Sequence, residues 1–169
     1  MRFVFVLMLL PLLLVGCAST PVLYEGAGID EAGVKEIKSV HVKPIVYDLQ
    51  LPDDSEVGMG EFKQAQPEFE KEFLTRLQES EPRPFSADNG ETVLDMTVQL
   101  VDFGESAIFK TRPGRISGHL TLSRDGRVIY SANFQGEVKT GYSTWRSRIE
   151  AAHRDVARAL AERIGNSYR

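Results

Sequence analysis

The chain has 169 residues, 42% of them hydrophobic, with 20 basic and 24 acidic side chains and a net charge of −4 when the histidines are neutral. That length suits one domain with a proper core and not two. The acidic balance excludes the electrostatic footprint of a nucleic-acid binder, and a single cysteine excludes any disulfide within the chain.

Phe3 to Val15 reads FVFVLMLLPLLLV and follows Arg2, the charged and apolar regions of an export signal. As a helix this run would be about 20 Å long, short of the roughly 30 Å hydrocarbon core, and Pro11 interrupts it. Leu14-Val15-Gly16-Cys17 then resembles the lipobox of bacterial lipoproteins. The resemblance implies loss of a signal peptide at residues 1–16 and lipid attachment at Cys17, with acyl chains such as palmitate anchoring the protein to a membrane that it does not span. Ala18 stands where the inner-membrane retention signal of that class has Asp, so the resemblance points to the periplasmic face of the outer membrane. The mature chain would keep 153 residues with 24 acidic and 19 basic side chains, a net charge of −5.

Residues 18–36, ASTPVLYEGAGIDEAGVKE, are rich in Gly, Ala and acids without a sustained period, so residues 17–36 are expected to form a lipidated tether and 37–169 a single domain. Ser39–Asp48 is β-rich, with Pro44 forcing an edge position or a bend. Leu51–Gly60 reads as a loop, and Pro67 with Glu68 suits the first turn of a helix whose Phe69, Phe73 and Leu77 share one face. The breaker at 81–90 precedes a strand in which Leu94, Met96, Val98 and Leu100 alternate with polar residues.

The SRDGRV turn predicts a hairpin. A two-residue Asp125-Gly126 turn would set Leu122 against Ile129, whereas a three-residue loop with Gly126 as the left-handed bulge sets Leu122 against Val128, Leu120 against Tyr130 and Ile116 against Phe134. Burial favours the second register. The closing helix spans about Thr144 to Ile164, with Trp145, Ile149, Ala152, Val156, Leu160 and Ile164 on one stripe. Ser147 and Glu150 match a capping box, Ser143 or Thr144 could start the helix earlier, and Gly165 is a good stop. The expected fold is α+β, two helices on one face of an antiparallel-rich sheet of about four strands, in the order strand, helix, strand, hairpin, helix.

Chemistry is sparse. His41, His119 and His153 fall on separate elements with no second ligand type at metal-site spacing, and read as surface or rim residues. Asp53, Asp54 and Glu56 have no EF-hand spacing and read as a solvated loop. No hydrolase elbow, P-loop or dinucleotide fingerprint occurs, so the chain is expected to be no enzyme and to need no cofactor or metal. Residues 51–81 carry a net −6 and residues 142–169 a net +3. Either the basic helix meets an anionic partner, or the two helices complement one another. Tyr142, Trp145, Arg146 and Arg148, with Arg112 and Arg115 from the 102–115 loop, are the candidate partner-binding residues; the competing reading of Trp145 is core.

The lipobox Cys17, the strand VLDMTVQLVDF, the turn LSRDGRVIYSANFQGE and the closing amphipathic helix together resemble the small uncharacterised lipoproteins of the DUF4410-like type. Similar folds occur in CsgG-like secretion lipoproteins and in activators of penicillin-binding proteins. The resemblance implies a binding module: a lipid-anchored protein that contacts another envelope protein through an exposed sheet edge and the loops at 51–60 and 102–115. A small-ligand or lipid-binding auxiliary of a transporter is the alternative, and it would need an apolar cavity.

Overall fold

A computed structural model describes residues 22–49, 51, 57–81, 85–107, 110–138 and 144–166. The signal region, Cys17, the acidic group at 53–56 and Tyr142 lie outside the described residues. In chain order the elements are β1 (Leu23–Glu25), α1 (Glu31–Lys35), β2 (Val40–Val42), β3 (Val46–Tyr47), α2 (Met59–Ser80) and β4 (Phe85–Ser86). They are followed by β5 (Thr92–Asp102), β6 (Glu105–Ala107), β7 (Lys110–Arg112), β8 (Gly114–Arg124), β9 (Arg127–Val138) and α3 (Trp145–Asn166). The fold is α+β, but the sheet is larger than the expected four strands. Seven strands join in the order β1-β9-β8-β5-β2-β4, with β3 also on β5, while β6 and β7 form a separate ribbon.

Three long strands, β5, β8 and β9, form an antiparallel centre. β2 and β3 run parallel to β5, so α2 lies in the crossover that parallel pairing requires. The single strand expected at 39–48 is split at Lys43–Ile45, around Pro44, into β2 and β3. Proline there has no N–H for the ladder.

Helices α2 and α3 lie side by side over one sheet face. Phe62, Ala65, Phe69, Phe73 and Leu77 of α2, and Ile149, Ala152, Val156, Leu160 and Ile164 of α3, are buried with Leu94, Met96, Val98, Ile116, Leu120 and Phe134 of the sheet. α2 starts at Met59, eight residues before Pro67, so that proline is inside the helix and not at its first turn, and part of the expected 51–60 loop is helical. α3 starts at Trp145. The Thr144 hydroxyl accepts from the Ser147 N–H at 3.2 Å, so Thr144 is the cap and the predicted Ser147–Glu150 box is not used.

The hairpin corrects the predicted register. Asp125 and Gly126 both have positive φ, 53° and 73°, as a two-residue type I′ turn demands, and Arg124 faces Arg127. Ile129 is then the extra residue of a bulge. Past it Leu122 faces Tyr130, Leu120 faces Ala132 and Gly118 faces Phe134, one step beyond the two-residue-turn pairing and two beyond the favoured one. A second irregularity between Val98 and Leu100 turns Leu100 to solvent and sends Val101 inward, which breaks the predicted alternation.

The segment from residue 22, expected as tether, is folded. Leu23, Tyr24 and Glu25 pair with Phe134, Asn133 and Ala132, and Val34 and Ile37 are core. Arg163 binds the carboxylates of Glu25 and Glu31 and lies over the Tyr130 ring at 5.7 Å, fastening β1 and α1 to α3. The described residues 22–36 are therefore part of the folded domain and not tether.

Candidate functional site

The face of the sheet that α2 and α3 leave uncovered is built by strand alternation alone. Registers place Tyr24, Asn133, His119, Thr97 and Val46 in one continuous row across β1, β9, β8, β5 and β3. The next row holds Gln135, Ser117 and Leu100, and on the other side lie Ser131, Thr121 and Asp95, then Val128, Ser123 and Val93. Four large apolar side chains stand exposed on the described chain, Tyr24 (42%), Val46 (56%), Leu100 (48%) and Val128 (52%), and all four point to this face. Between them the side chains are neutral hydroxyls and amides; its charges are paired, Lys43 with Asp95 and Arg115 with Glu137, each at 2.8 Å. His119 reaches Asn133 Oδ1 at 3.2 Å and belongs to this surface.

The predicted binding residues gather at one end of the sheet, where β5 and β9 finish and β8 and α3 begin. Their roles differ. Arg148 is buried and donates from Nε to the Phe103 carbonyl at 2.7 Å, tying α3 to the end of β5. Trp145 packs edge-on against Phe69 and Phe103, and its indole N–H donates to Glu61 at 3.3 Å. Arg146 lies over the Trp145 ring and faces Glu68 at 3.8 Å. Arg112 pairs with Asp102 at 3.2 Å and Arg115 with Glu137. Arg146 on Glu68, Trp145 on Glu61 and Arg154 on Glu72 at 3.0 Å pair the basic α3 with the acidic α2, the second of the two readings of the charge asymmetry.

His153 departs from the surface reading. It is fully buried, stacked on Phe69 at 5.3 Å, and its Nδ1 faces the Ile149 carbonyl at 2.8 Å. A carbonyl only accepts, so Nδ1 carries the proton and Nε2 accepts from the Tyr47 hydroxyl at 3.1 Å. Burial holds its pKa down to about 4 and pushes that of Tyr47 well above the usual phenol range. The Glu70 carboxyl, which accepts from the Ile45 N–H, is raised by burial and adds to the upward push on Tyr47. The pair is closed to solvent on the His153 side and joins α3 to β3. Sequence spacing contained the clue: 149, 153 and 156 lie on the same helical stripe.

An open groove of about 570 Å³ runs beside α3, lined by Arg76, Glu137, Val138, Ala151, Arg154, Asp155 and Arg158. Its guanidinium groups face carboxylates, Arg158 on Asp155 at 2.5 Å and Arg76 on Glu79 at 3.1 Å. It is a charged surface furrow, not the enclosed apolar chamber that a lipid-binding auxiliary needs. Among the described residues no cluster of three or more His, Cys, Asp or Glu side chains could hold a metal ion, and no helix is long and apolar enough to cross a membrane.

No family model matches the sequence, and no curated protein does. Solved structures do. A DUF330 protein from Xanthomonas campestris aligns with a TM-score of 0.50 at 12% identity, over 77% of this chain and 88% of its own. The PelC dodecamer from Paraburkholderia phytofirmans gives 0.49 at 15% identity, over 82% and 96%. A protein described as a lipoprotein from Caulobacter crescentus gives 0.44 at 12%, over 80% and 96%. At these identities the likeness to the DUF330 protein shows a shared α+β fold and nothing finer.

Proposed function

We propose that this chain is a lipid-anchored lipoprotein of the bacterial envelope, DUF4410-like in type and held at the periplasmic face of the outer membrane through Cys17, and that it binds another envelope protein without catalysing a reaction. The observation that carries the binding role is the sheet face away from α2 and α3, on which the four exposed large apolar side chains of the described residues, Tyr24, Val46, Leu100 and Val128, are spread over four strands among mainly neutral polar residues. All four exposed large apolar side chains of the described residues stand on this one face, which favours it over the helical face as the interaction surface. Neutral hydroxyls and amides around them are inexpensive to desolvate when they find partners across the interface. The anchor rests on the apolar run and lipobox at residues 3–17. The transporter-auxiliary alternative is weaker because the groove beside α3 is charged and open.

The test is affinity purification of the lipidated protein, cross-linked in its native envelope, alongside the double variant Tyr24→Asp, Leu100→Asp and the unanchored Cys17→Ala. A stoichiometric protein partner recovered with the wild type and lost with the double variant, whose thermal melt matches the wild type, is the expected result. Equal recovery with the double variant would remove the sheet face from the binding role. Recovery of only a lipid or small molecule, persisting with the unanchored protein, would overturn the proposal in favour of a ligand-binding auxiliary.

A further inference from the structure

The distance between Cys17 and Val22, the first paired residue among the described ones, limits how the domain can sit on its membrane. The Val22 carbonyl accepts from the Gln135 N–H at 2.9 Å, so the chain is fixed to the sheet at that point. From Cys17 to Val22 there are five peptide steps, which span at most about 18 Å fully extended. Along β9, the turn at Gly126 lies nine residues from Gln135, roughly 30 Å at strand rise. The far end of the sheet, at Val138, is only three residues from Gln135 in the other direction, about 10 Å.

The polarity agrees. Leu23 faces Phe134 and Glu25 faces Ala132, so the chain traced back towards Cys17 runs towards the Val138 end of β9. A bilayer holding the acyl chains of Cys17 is thus within reach of that end, and a domain standing on its Asp125-Gly126 tip, which would hold Val22 roughly 30 Å off the surface, is excluded.

Resting on the lipoprotein reading above, we propose that the sheet end carrying Asp102, Arg112, Arg115 and Glu137, with the first turn of α3 at Trp145 and Arg146, lies against the lipid headgroups, and that the Asp125-Gly126 tip points away from the bilayer. The chemistry of this end suits that place. The side chains of Arg112, Arg115 and Arg146 are 58%, 41% and 41% exposed, and guanidinium forks match lipid phosphates. Each is also faced by a carboxylate, so these described charges offset one another and approach zwitterionic headgroups without repulsion. The binding face then stands upright on the membrane, open to a partner approaching sideways.

The test uses the lipidated full-length protein. Acylation occupies Cys17, so an introduced cysteine is the one labelling site. Arg112→Cys and Arg127→Cys, the latter at the tip with a side chain 79% exposed, are each labelled with a fluorophore. The proteins are reconstituted into phosphatidylethanolamine vesicles containing a minority of phosphatidylglycerol and a headgroup-attached energy acceptor. Severalfold stronger transfer from position 112 than from position 127 is expected. Equal transfer, or more from 127, would overturn the orientation. Flotation with the vesicles and the mass of the Cys17 peptide are measured first: an unmodified Cys17, or failure to float, would overturn the lipoprotein reading itself, whereas a floating protein with reversed transfer would overturn only the orientation.

Discussion

At the scale of single residues, the least expected chemistry is the neutral His153 sealed between Phe69, Ile149 and Tyr47. Its pKa of about 4 lies below the usual 6.5 because burial penalises the charged ring. The unfolded chain takes up this proton near pH 6.5 and the folded chain only near pH 4, so acidification through that window favours unfolding. The loss reaches about 3 kcal/mol once the pH is below both values. Glu70, raised by burial, acts with the opposite sign near its own titration and is common to wild type and variant. Urea unfolding at pH 7 and pH 5 should show the wild type losing stability, and His153→Phe, which keeps the stacked ring but cannot be protonated, losing clearly less. Parallel losses in the two proteins would remove His153 from the account. Arg148 illustrates a different limit: its sequence neighbourhood suggests an interface anchor, but its burial and its bond to the Phe103 carbonyl make it a strut. Sequence alone did not separate the two roles, because both use an arginine beside an aromatic at a helix start.

At the scale of elements, α3 sits on the sheet through a deliberate absence of side chain. A Cβ built at Gly136 would overlap the Ala152 carbonyl and press on Val156, so glycine lets α3 approach β9 directly. Gly136→Ala should cost about 1–3 kcal/mol, the usual range for overpacking, read as a lower urea midpoint. Gly126→Ala, where a Cβ meets nothing but the φ of +73° is strained, separates packing from backbone effects. An unchanged midpoint for Gly136→Ala would mean that the helix shifts freely. Periodicity made the stripes of α2 and α3 legible because 3.6-residue spacing survives small errors in where a helix starts: Phe69, Phe73 and Leu77 are buried although the helix begins eight residues before Pro67. Strand register is less forgiving. The bulge at Ile129 and the irregularity at Leu100 each shift a face by one residue, and neither leaves a composition signal.

At the scale of the whole molecule, the polar composition of residues 18–36 conceals a structural role. Val34 and Ile37 are almost wholly buried, Gly33 lies close to the Ile129 side chain, and Asp30, Glu31 and Glu36 face Arg127, Arg163 and Arg124. A short amphipathic turn capped by Asp30, whose side chain accepts from the Gly33 N–H at 2.9 Å, has too few residues to show a period. Its two apolar anchors are therefore invisible to a window average. The consequence is a boundary that can be tested by truncation. Removing residues 22–36 strips β1 from β9 and takes α1 away from Ile129. Losing the fully buried Val34, at roughly 1.5–3 kcal/mol, together with the partly buried Val22, Leu23 and Ile29, takes away a large share of the 5–15 kcal/mol typical of a domain. A chain starting at Val22 should melt like the mature protein freed of its lipid. One starting at Ile37 should melt about 10 °C lower or precipitate. The same comparison bears on the membrane arrangement, because only a chain whose first strand is locked to β9 transmits the short reach from Cys17 into a fixed orientation. Equal melting of the two truncated chains would show that the N-terminal segment rests on the sheet without holding it, and the orientation would then have no rigid origin.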